Sequence, residues 1–333
     1  MLGLKRRGQL LLDALLVILG PTGVGKTEVA IELAKRIRAE IISADSRQIY
    51  KEMDIGTAKP SSAVRQKIPH HLIDLVFPDE IFDVAGFKAR AEAIIKELQK
   101  KDKLPILVGG SGLYIKAVMD GLFIGPGADW KLREKLKKKE KKEGRGTLHQ
   151  QLERVDPTTA SRLHPHDQRR IIRALEVYHL SGKPISSYQT QFPSTLTNAV
   201  MIGLERERES LFRLINERVD RMVAGGLIGE VESLLSKGYS EDLPSLQGLG
   251  YQQIIAYLKG EYPQEEAIRL VKRDTRRFAK RQMSWFKRDK RILWIDTEEF
   301  SSFTEISDKI MDILMKKIPQ IKLAYSEKCK SKT

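Results

Sequence analysis

A glycine-rich segment near the start of the chain has the residue types and the spacing of a phosphate-binding loop. Residues 20–27 match the pattern G-x-x-x-x-G-K-[ST] at every fixed position, between an apolar run and a segment of helical spacing. The glycines allow backbone N–H groups to turn toward an anion, the lysine places a cation on the terminal phosphate, and the threonine hydroxyl is a ligand for Mg²⁺. The predicted diphosphate-binding residues are Gly20, Pro21, Thr22, Gly23, Val24, Gly25, Lys26 and Thr27, with Thr27 also the predicted Mg²⁺ ligand.

An acidic residue follows the second apolar run of the chain. Asp45 ends the segment Ile-Ile-Ser-Ala-Asp, whereas the run at 104–108 is followed by two glycines and Ser111. Because ligands bind at the carboxyl ends of parallel strands, we expect Asp45 to face the phosphate site as a metal ligand or general base. A helix cap or turn is the alternative role. ATPases and GTPases of this kind usually have a Mg²⁺-binding carboxylate at the end of another strand, and the run at 104–108 lacks one. The protein therefore need not hydrolyse ATP, and the bound diphosphate can be a leaving group or a product.

Apolar runs alternate with segments of helical periodicity along most of the chain. The predicted strands are 14–19, 40–44, 104–108, 199–204 and 293–295. The main predicted helices are 27–38 and 87–101, with one or two further helices over 211–237. This alternation predicts an α/β fold, a P-loop-type parallel sheet flanked by helices. Residues 275–286 also have helical spacing, and we expect the aromatic residues Phe278, Trp285 and Phe286 to lie in the core.

Composition narrows the class of protein. The chain has 333 residues, a length typical of about two domains, and 59 Lys and Arg against 44 Asp and Glu, a net charge of +15. Such a charge indicates a polyanionic partner, nucleic acid or an anionic membrane surface, with a solvated Lys-rich surface as the alternative. The single cysteine, Cys329, excludes a disulfide framework and fits a reducing cytosol. The apolar stretch 10–20 is interrupted by Asp13 and is too short for a membrane span.

The positive charge is concentrated in a segment that follows Gly125-Pro-Gly127. Residues 128–183 contain 15 Lys and Arg and 8 Asp and Glu, a difference of 15 − 8 = +7, and they have helical character. We predict an all-helical basic insertion domain whose charge suits a polyanionic partner. The predicted divisions are a core at 1–125, the insertion at 126–190, the rest of the core at 191–318, and a Lys-rich tail at 319–333.

Collinear motifs from about residue 15 to residue 290 resemble those of the tRNA dimethylallyltransferase family. Apart from the phosphate loop, the blocks that carry the resemblance are SADSRQIY (43–50), DIGTAKP (54–60), PHHLID (69–74), GGSGLY (109–114), RIIRALEVY (170–178), SGKPI (181–185) and TRRFAKRQMSWF (275–286). The phosphate loop is shared with many kinases, whereas the blocks at 44–50 and 275–286 are far more specific. Without the cysteines or the length for the C-terminal zinc finger of eukaryotic members, the chain resembles a bacterial form.

The resemblance implies transfer of a dimethylallyl group from its diphosphate to N6 of the adenine just 3′ of the anticodon in tRNA. It implies Mg²⁺ as cofactor, with the anticodon stem-loop of tRNA and dimethylallyl diphosphate as partners. We further expect a cytoplasmic monomer with no membrane partner.

Individual residues carry over from the family by position. The implied catalytic residues are Asp45 as general base, Lys26, Ser111, whose hydroxyl would hold the base or the diphosphate, and Arg218 near the diphosphate; for Arg218 an ordinary exposed charge is the alternative. The implied tRNA contacts are Asp45, Ser46, Arg47, Gln48, Ser111, Arg133, Arg169, Arg170, Arg173, Gln247, Gly248, Gly250, Tyr251 and Gln252. Arg173 has an alternative role as an ion-pair partner of Glu176.

Two other classes of protein remain open from the sequence. A small-molecule or nucleotide kinase on the same phosphate-loop fold would consume ATP, and it would leave the basic insertion unexplained. A non-catalytic RNA-binding protein would bind tRNA without any effect of Mg²⁺ or diphosphate.

Overall fold

A computed structural model describes residues 14–318 apart from Ile124 and residues 189–197. The predicted tail at 319–333 and the predicted boundary at 190/191 lie outside the described residues. The strands are β1 (Leu15–Leu19), β2 (Ala39–Ser43), β3 (His70–His71), β4 (Leu104–Gly109), β5 (Ala199–Glu205) and β6 (Leu293–Asp296). The helices are α1 (Lys26–Arg36), α2 (Ser62–Lys67), α3 (Val84–Lys100), α4 (Gly112–Asp120), α5 (Trp130–Glu143), α6 (Thr147–Val155), α7 (Pro157–Ala160), α8 (Gln168–Ser181), α9 (Arg208–Ala224), α10 (Leu227–Ser236), α11 (Tyr251–Leu258), α12 (Gln264–Phe286) and α13 (Phe303–Lys317).

The strands form one parallel sheet in the order β3-β2-β4-β1-β5-β6. The central strand β1 pairs with β4 and β5, and Ile18 lies opposite Val108 on one side and Ile202 on the other. Because all strands run in the same direction, the segments that follow β1, β2 and β4 meet at one edge of the sheet. The predicted α/β fold is confirmed.

Strand β1 is apolar throughout because both faces of the sheet are covered. Leu16 and Ile18 pack into a core that includes side chains of α1 and α13, whereas Leu15, Val17 and Leu19 pack with α3 and α4 on the opposite face. These five side chains are at most 1% exposed. A strand buried on both faces has no polar alternation, which is why the sequence shows a continuous apolar run.

Some sequence expectations need correction. The segment predicted as one or two helices over 211–237 contains two, α9 and α10, which are separated at Gly225–Gly226, where Gly226 has φ +100°. Helix α13 was not predicted. In α12, Phe286 is buried as predicted, but Phe278 is only half-buried and Trp285 is 39% exposed. The Trp285 ring packs against the backbone at Gly112, where a Cβ would lie 2.5 Å from the ring. The tryptophan therefore covers the start of α4 instead of filling the core.

The described residues form two compact units, one made of residues 14–119 and 198–318 and the other of residues 120–188. The second unit contains α5 to α8 and has its own apolar core, in which Leu148, Leu152 and Leu175 are at most 1% exposed. The sequence placed the first boundary at 125/126 rather than 119/120. The difference arises because Phe123 packs against the helical core. In the described part of the chain no helix is both long and apolar enough to cross a membrane.

Candidate active site

The phosphate loop leads directly from β1 into α1. Gly25 caps α1 in the left-handed region, with φ +95°, and no side chain accepts from the first turn of the helix. A Cβ at this position would also lie 2.5 Å from a ring carbon of Phe303, so both conformation and space require glycine. The helix therefore begins with unpaired N–H donors and the positive end of its dipole at the loop, an arrangement suited to a phosphate.

Lys26 is half-buried within the loop and lies among other charges. Its ammonium donates to the Pro21 carbonyl oxygen at 2.6 Å. Desolvation and, to a smaller extent, the positive charge of Arg218 lower the pKa of Lys26 from 10.5 to about 8, although Asp45 and Glu28 act in the opposite direction. The lysine, the candidate base and the arginine predicted near the diphosphate thus act on one another electrostatically.

The lowered pKa of Lys26 predicts a pH-dependent affinity for diphosphate. Below pH 8 the ammonium is charged and attracts the anion; above its pKa of about 8 it is neutral. Binding of inorganic diphosphate to the free protein should therefore weaken as the pH rises from 8 to 10, by up to about tenfold per pH unit. Isothermal titration calorimetry across this range measures the effect. The Lys26→Met variant is the control and should lack this weakening, and a pH-independent affinity in the wild type would contradict the assignment.

Asp45 and Ser111 come from neighbouring strands that end side by side. A Cβ at Gly109, the last residue of β4, would collide with the Ala44 carbonyl, so glycine permits β4 to approach the residue before Asp45. The Ser111 hydroxyl accepts the Ser46 N–H at 3.0 Å, and Asp45 Oδ1 accepts the Arg47 N–H at 2.8 Å. Both bonds fix the backbone around a half-buried carboxylate at the end of β2. Ser111 therefore holds the segment that carries the candidate base.

Arg218 lies on α9, which packs against the phosphate loop. A Cβ at Gly23 would lie 3.0 Å from the Ile215 side chain, one turn before Arg218. Burial lowers the pKa of Arg218, and the charges of Glu28 and Asp45 raise it. The arginine stays protonated because its ordinary pKa is so high. The alternative of an ordinary exposed charge does not fit this half-buried position.

The loop has a donor set suited to Mg²⁺. The Thr27 hydroxyl makes no hydrogen bond within the part of the chain that the structure describes, and it lies in the first turn of α1. The described residues contain no cluster of three or more His, Cys, Asp or Glu side chains that could hold a metal ion. Mg²⁺ is commonly bound by few protein oxygens together with substrate phosphates and water. A site made of Thr27 and diphosphate oxygens fits this chemistry.

Glu230 on α10 fixes a neighbouring loop, although no pattern in the sequence indicates such a role. Its carboxylate accepts the backbone N–H groups of Asp54, Ile55 and Gly56 at 2.7–3.0 Å, and the Tyr251 hydroxyl donates to it at 2.7 Å. Four donors on one carboxylate fix the start of the DIGTAKP segment. No local motif includes Glu230, because the backbone groups that it binds are 174–176 positions away in sequence.

The side chains of Gln48 and Tyr251, both predicted to contact RNA, have partners within the protein. The Gln48 amide accepts from the Ser43 hydroxyl and donates to the carbonyls of Thr57 and Ala58. Tyr251 is 1% exposed. Burial and the negative charge of Glu230 raise the pKa of its hydroxyl. Both side chains hold the loop at 54–60, and their contacts with RNA stay predictions.

Two predicted RNA-contact segments nevertheless meet in the structure. The Arg47 guanidinium donates to the Pro244 carbonyl at 2.6 Å and lies against Gly248. The neighbouring side chains of Gln247 and Gln252 are exposed, whereas Gly248 and Gly250 are buried. Ser46 and Arg47 are half-buried beside them. A surface for RNA here would be made by the exposed glutamines, with Arg47 joining the two segments.

In the helical unit, two of the predicted arginines are already paired. Arg133 and Arg173 both bind the carboxylate of Glu176, at 2.8 and 2.6 Å, and Glu176 is fully buried. Glu176 also accepts the Asp129 N–H at 2.7 Å. Both arginines therefore have a structural role, since breaking a buried ion pair costs about 3–5 kcal/mol. This supports the alternative stated for Arg173, and the predicted RNA contact of Arg133 stays a prediction.

The other two predicted arginines of this unit are exposed. Arg169 has no ion-pair partner among the described residues, and Arg170 makes only a 3.4 Å contact with Asp167. Exposed pairs of this kind contribute little to stability. Arg169 and Arg170 are thus available to a polyanion.

The fold and the site together define a phosphate-loop α/β protein in which a lysine of the loop, an arginine and a carboxylate act on one another electrostatically. The family model for IPP transferase matches residues 48–289. The chain is also 52% identical over 300 residues to the tRNA dimethylallyltransferase of Pelotomaculum thermopropionicum, covering 90% of this chain and 95% of that protein. The chain therefore belongs to the IPP transferase family.

Solved structures agree with this membership. The full-length tRNA isopentenylpyrophosphate transferase of Bacillus halodurans aligns with a TM-score of 0.66 at 39% identity, covering 95% of this chain and 99% of that protein. A eukaryotic dimethylallyltransferase acting on tRNA aligns with a TM-score of 0.71 at 27% identity, covering 96% of this chain and 80% of that protein.

Proposed function

We propose that the protein transfers a dimethylallyl group from dimethylallyl diphosphate to N6 of the adenine immediately 3′ of the anticodon in tRNA. The observation that carries the proposal is the shared electrostatic field of Lys26, Arg218 and Asp45 at the phosphate loop. The two cations can stabilise a departing diphosphate, and the carboxylate can accept a proton from an incoming amine. Relatives that bear the name tRNA dimethylallyltransferase, at about half identity over nearly the whole chain, support the same reaction.

Side chains and backbone groups of the protein can assist both the departure of the diphosphate and the loss of the N6 proton. The bond from N6 to the first carbon of the dimethylallyl group forms as the bond from that carbon to the diphosphate oxygen breaks, and its electron pair leaves with the diphosphate. Loop N–H groups, Lys26 and Arg218 stabilise the charge of the leaving group, an effect that is usually the largest part of catalysis. Asp45 accepts the proton that N6 loses, worth about 10²–10⁴-fold. Mg²⁺ bound through Thr27 would neutralise further diphosphate charge.

The nucleophile must leave its place in the anticodon loop to reach this site. A base in a stacked loop cannot bring N6 to a half-buried carboxylate, so it must be splayed outward, as enzymes that modify bases require. The basic helical unit, with 15 − 8 = +7 over residues 128–183, would hold the surrounding phosphates. The helical unit would then contribute affinity for tRNA, whereas the transfer step would depend on the phosphate loop and Asp45.

A donor-labelling experiment with two RNAs tests the proposed acceptor. The wild-type protein is incubated with Mg²⁺, radiolabelled dimethylallyl diphosphate and an anticodon stem-loop carrying adenine 3′ of the anticodon, or the same RNA with guanine there. We expect label in the first RNA and none in the second. Equal labelling of both would contradict the acceptor assignment, and binding of RNA without any labelling would favour the non-catalytic alternative.

Arg169 provides a test of the RNA-binding role of the helical unit. Each lost phosphate contact lowers the slope of log affinity against log salt by about 0.7–0.9. The Arg169→Ala variant should show this decrease, with little change in melting temperature, because the side chain is exposed. The Arg173→Ala variant should instead lower the melting temperature, since it leaves Glu176 with one fewer partner. Fluorescence-anisotropy titrations of tRNA at several salt concentrations measure the slopes, and an unchanged slope in Arg169→Ala would exclude a phosphate contact.

A further inference from the structure

The side chain of Gln282 joins two segments of the active site that are far apart in sequence. It lies on α12 and is 7% exposed. Its oxygen accepts the backbone N–H of Thr22 at 2.9 Å, and its amide nitrogen donates to the Gly110 carbonyl at 2.9 Å. Thr22 belongs to the phosphate loop, and Gly110 belongs to the turn after β4. One amide group therefore links the two segments and has both its oxygen and its nitrogen paired.

The backbone at the second segment is adapted to this link. A Cβ at position 110 would collide with the amide nitrogen of Gln282, so a residue without a side chain is needed for the approach. On the other side of the same turn, the Ser111 N–H donates to the Ala44 carbonyl at 3.2 Å, and the Ser111 hydroxyl accepts from Ser46. A continuous chain of hydrogen bonds thus runs from the phosphate loop, through Gln282 and the turn at 110–111, to the residues on both sides of Asp45.

The two linked segments perform different parts of the proposed reaction. Residues 20–27 hold the leaving group, and Asp45 accepts the proton of the nucleophile. Transfer requires the carbon under attack to lie between these groups at a fixed spacing, and a displacement of about 1 Å can reduce the rate about 10²-fold. The phosphate loop and Asp45 follow different strands, so side-chain bonds between their loops are needed to fix that spacing.

We propose that Gln282 is a positioning residue that sets the distance between the phosphate loop, residues 20–27, and Asp45. This inference rests on the proposed transfer reaction. Gln282 touches neither substrate in this account; it acts through the backbone of Thr22 and Gly110. It also withdraws the Thr22 N–H from the set of loop donors that face the diphosphate, because that N–H is directed at its own side-chain oxygen.

The test compares substitutions that remove one or both hydrogen bonds. Gln282→Met keeps the length of the side chain and removes both bonds, whereas Gln264→Met makes the same change in the first turn of the same helix and serves as the control. Single-turnover transfer is measured with both substrates saturating, well below the melting temperature of each variant. We expect the rate constant of Gln282→Met to fall about 10- to 100-fold. The affinities for tRNA and for inorganic diphosphate should stay within about threefold of wild type, and Gln264→Met should match wild type.

A third variant separates positioning from a general loss of packing. Gln282→Glu keeps the acceptor for Thr22 but, when ionised, cannot donate to the Gly110 carbonyl; when protonated, it restores both bonds. Its rate relative to wild type at the same pH should therefore rise as the pH falls, whereas that of Gln282→Met should not. The inference is overturned if folded Gln282→Met transfers at the wild-type rate, or if its defect disappears at saturating substrate. Failure of the wild type to transfer at all would instead refute the proposed function.

Discussion

Replacing Asp45 with asparagine should lower kcat by about 10² or more while leaving folding and tRNA affinity nearly unchanged. The amide has the same shape, and its oxygen can still accept the Arg47 N–H that Asp45 accepts at 2.8 Å. It cannot take a proton from the adenine amine, so only the chemical step should slow. Single-turnover transfer at saturating substrates, together with a binding titration of tRNA, measures both quantities.

Glu28→Gln is the matched control for Asp45→Asn. Glu28 is exposed in the first turn of α1 and, like Asp45, raises the pKa of Lys26. If the loss in Asp45→Asn came only from a changed electrostatic field, Glu28→Gln should show a comparable loss. We expect it to retain most of its activity. A near-normal kcat in Asp45→Asn would exclude the general-base role.

Replacing Lys26 with alanine should weaken diphosphate binding and slow transfer together. The ammonium neutralises charge in the bound diphosphate and still more in the transition state, where the leaving group carries the electron pair. We expect an affinity loss of about tenfold or more for inorganic diphosphate and a fall in kcat of about 10². Calorimetry with inorganic diphosphate measures the affinity, and single-turnover transfer measures the rate.

Lys35→Ala, on the same helix, controls for the loss of a positive charge near the loop. Lys35 is exposed and pairs with Glu32 at 2.6 Å, so its removal should change neither quantity. Wild-type binding and rates in Lys26→Ala would mean that residues 20–27 are not the diphosphate site.

The sequence predicted the features that depend on local pattern. The phosphate loop, the strands that flank it and the position of Asp45 at a strand end all follow from short-range spacing, and the structure has them at the expected places. The two-residue strand β3 carries no pattern of its own, and it forms because His70 and His71 pair with the edge of β2. The sequence indicates no role for these histidines; in the structure the His71 ring contacts the carboxylate of Glu40 on that strand at 2.7 Å.

The features that the sequence did not predict depend on contacts between distant residues. The ion pair of Arg173 with Glu176 was an expectation from their spacing, but nothing in the sequence indicates that Glu176 is fully buried or that Arg133 also binds it. Gln282 likewise lies 260 positions from Thr22. A glutamine on the same helical face as the apolar residues was the available signal, since a buried amide must have partners.

The central claim is the transfer of a dimethylallyl group to an adenine of tRNA, and nucleoside analysis tests it most directly. Unmodified tRNA is incubated with the wild-type protein, Mg²⁺ and dimethylallyl diphosphate, with ATP omitted, and is then digested and analysed by mass spectrometry. The account predicts N6-isopentenyladenosine in the digest, absent when Lys26→Ala replaces the wild type under the same brief incubation. Unmodified adenosine alone, or product formed only when ATP is supplied and consumed, would contradict it.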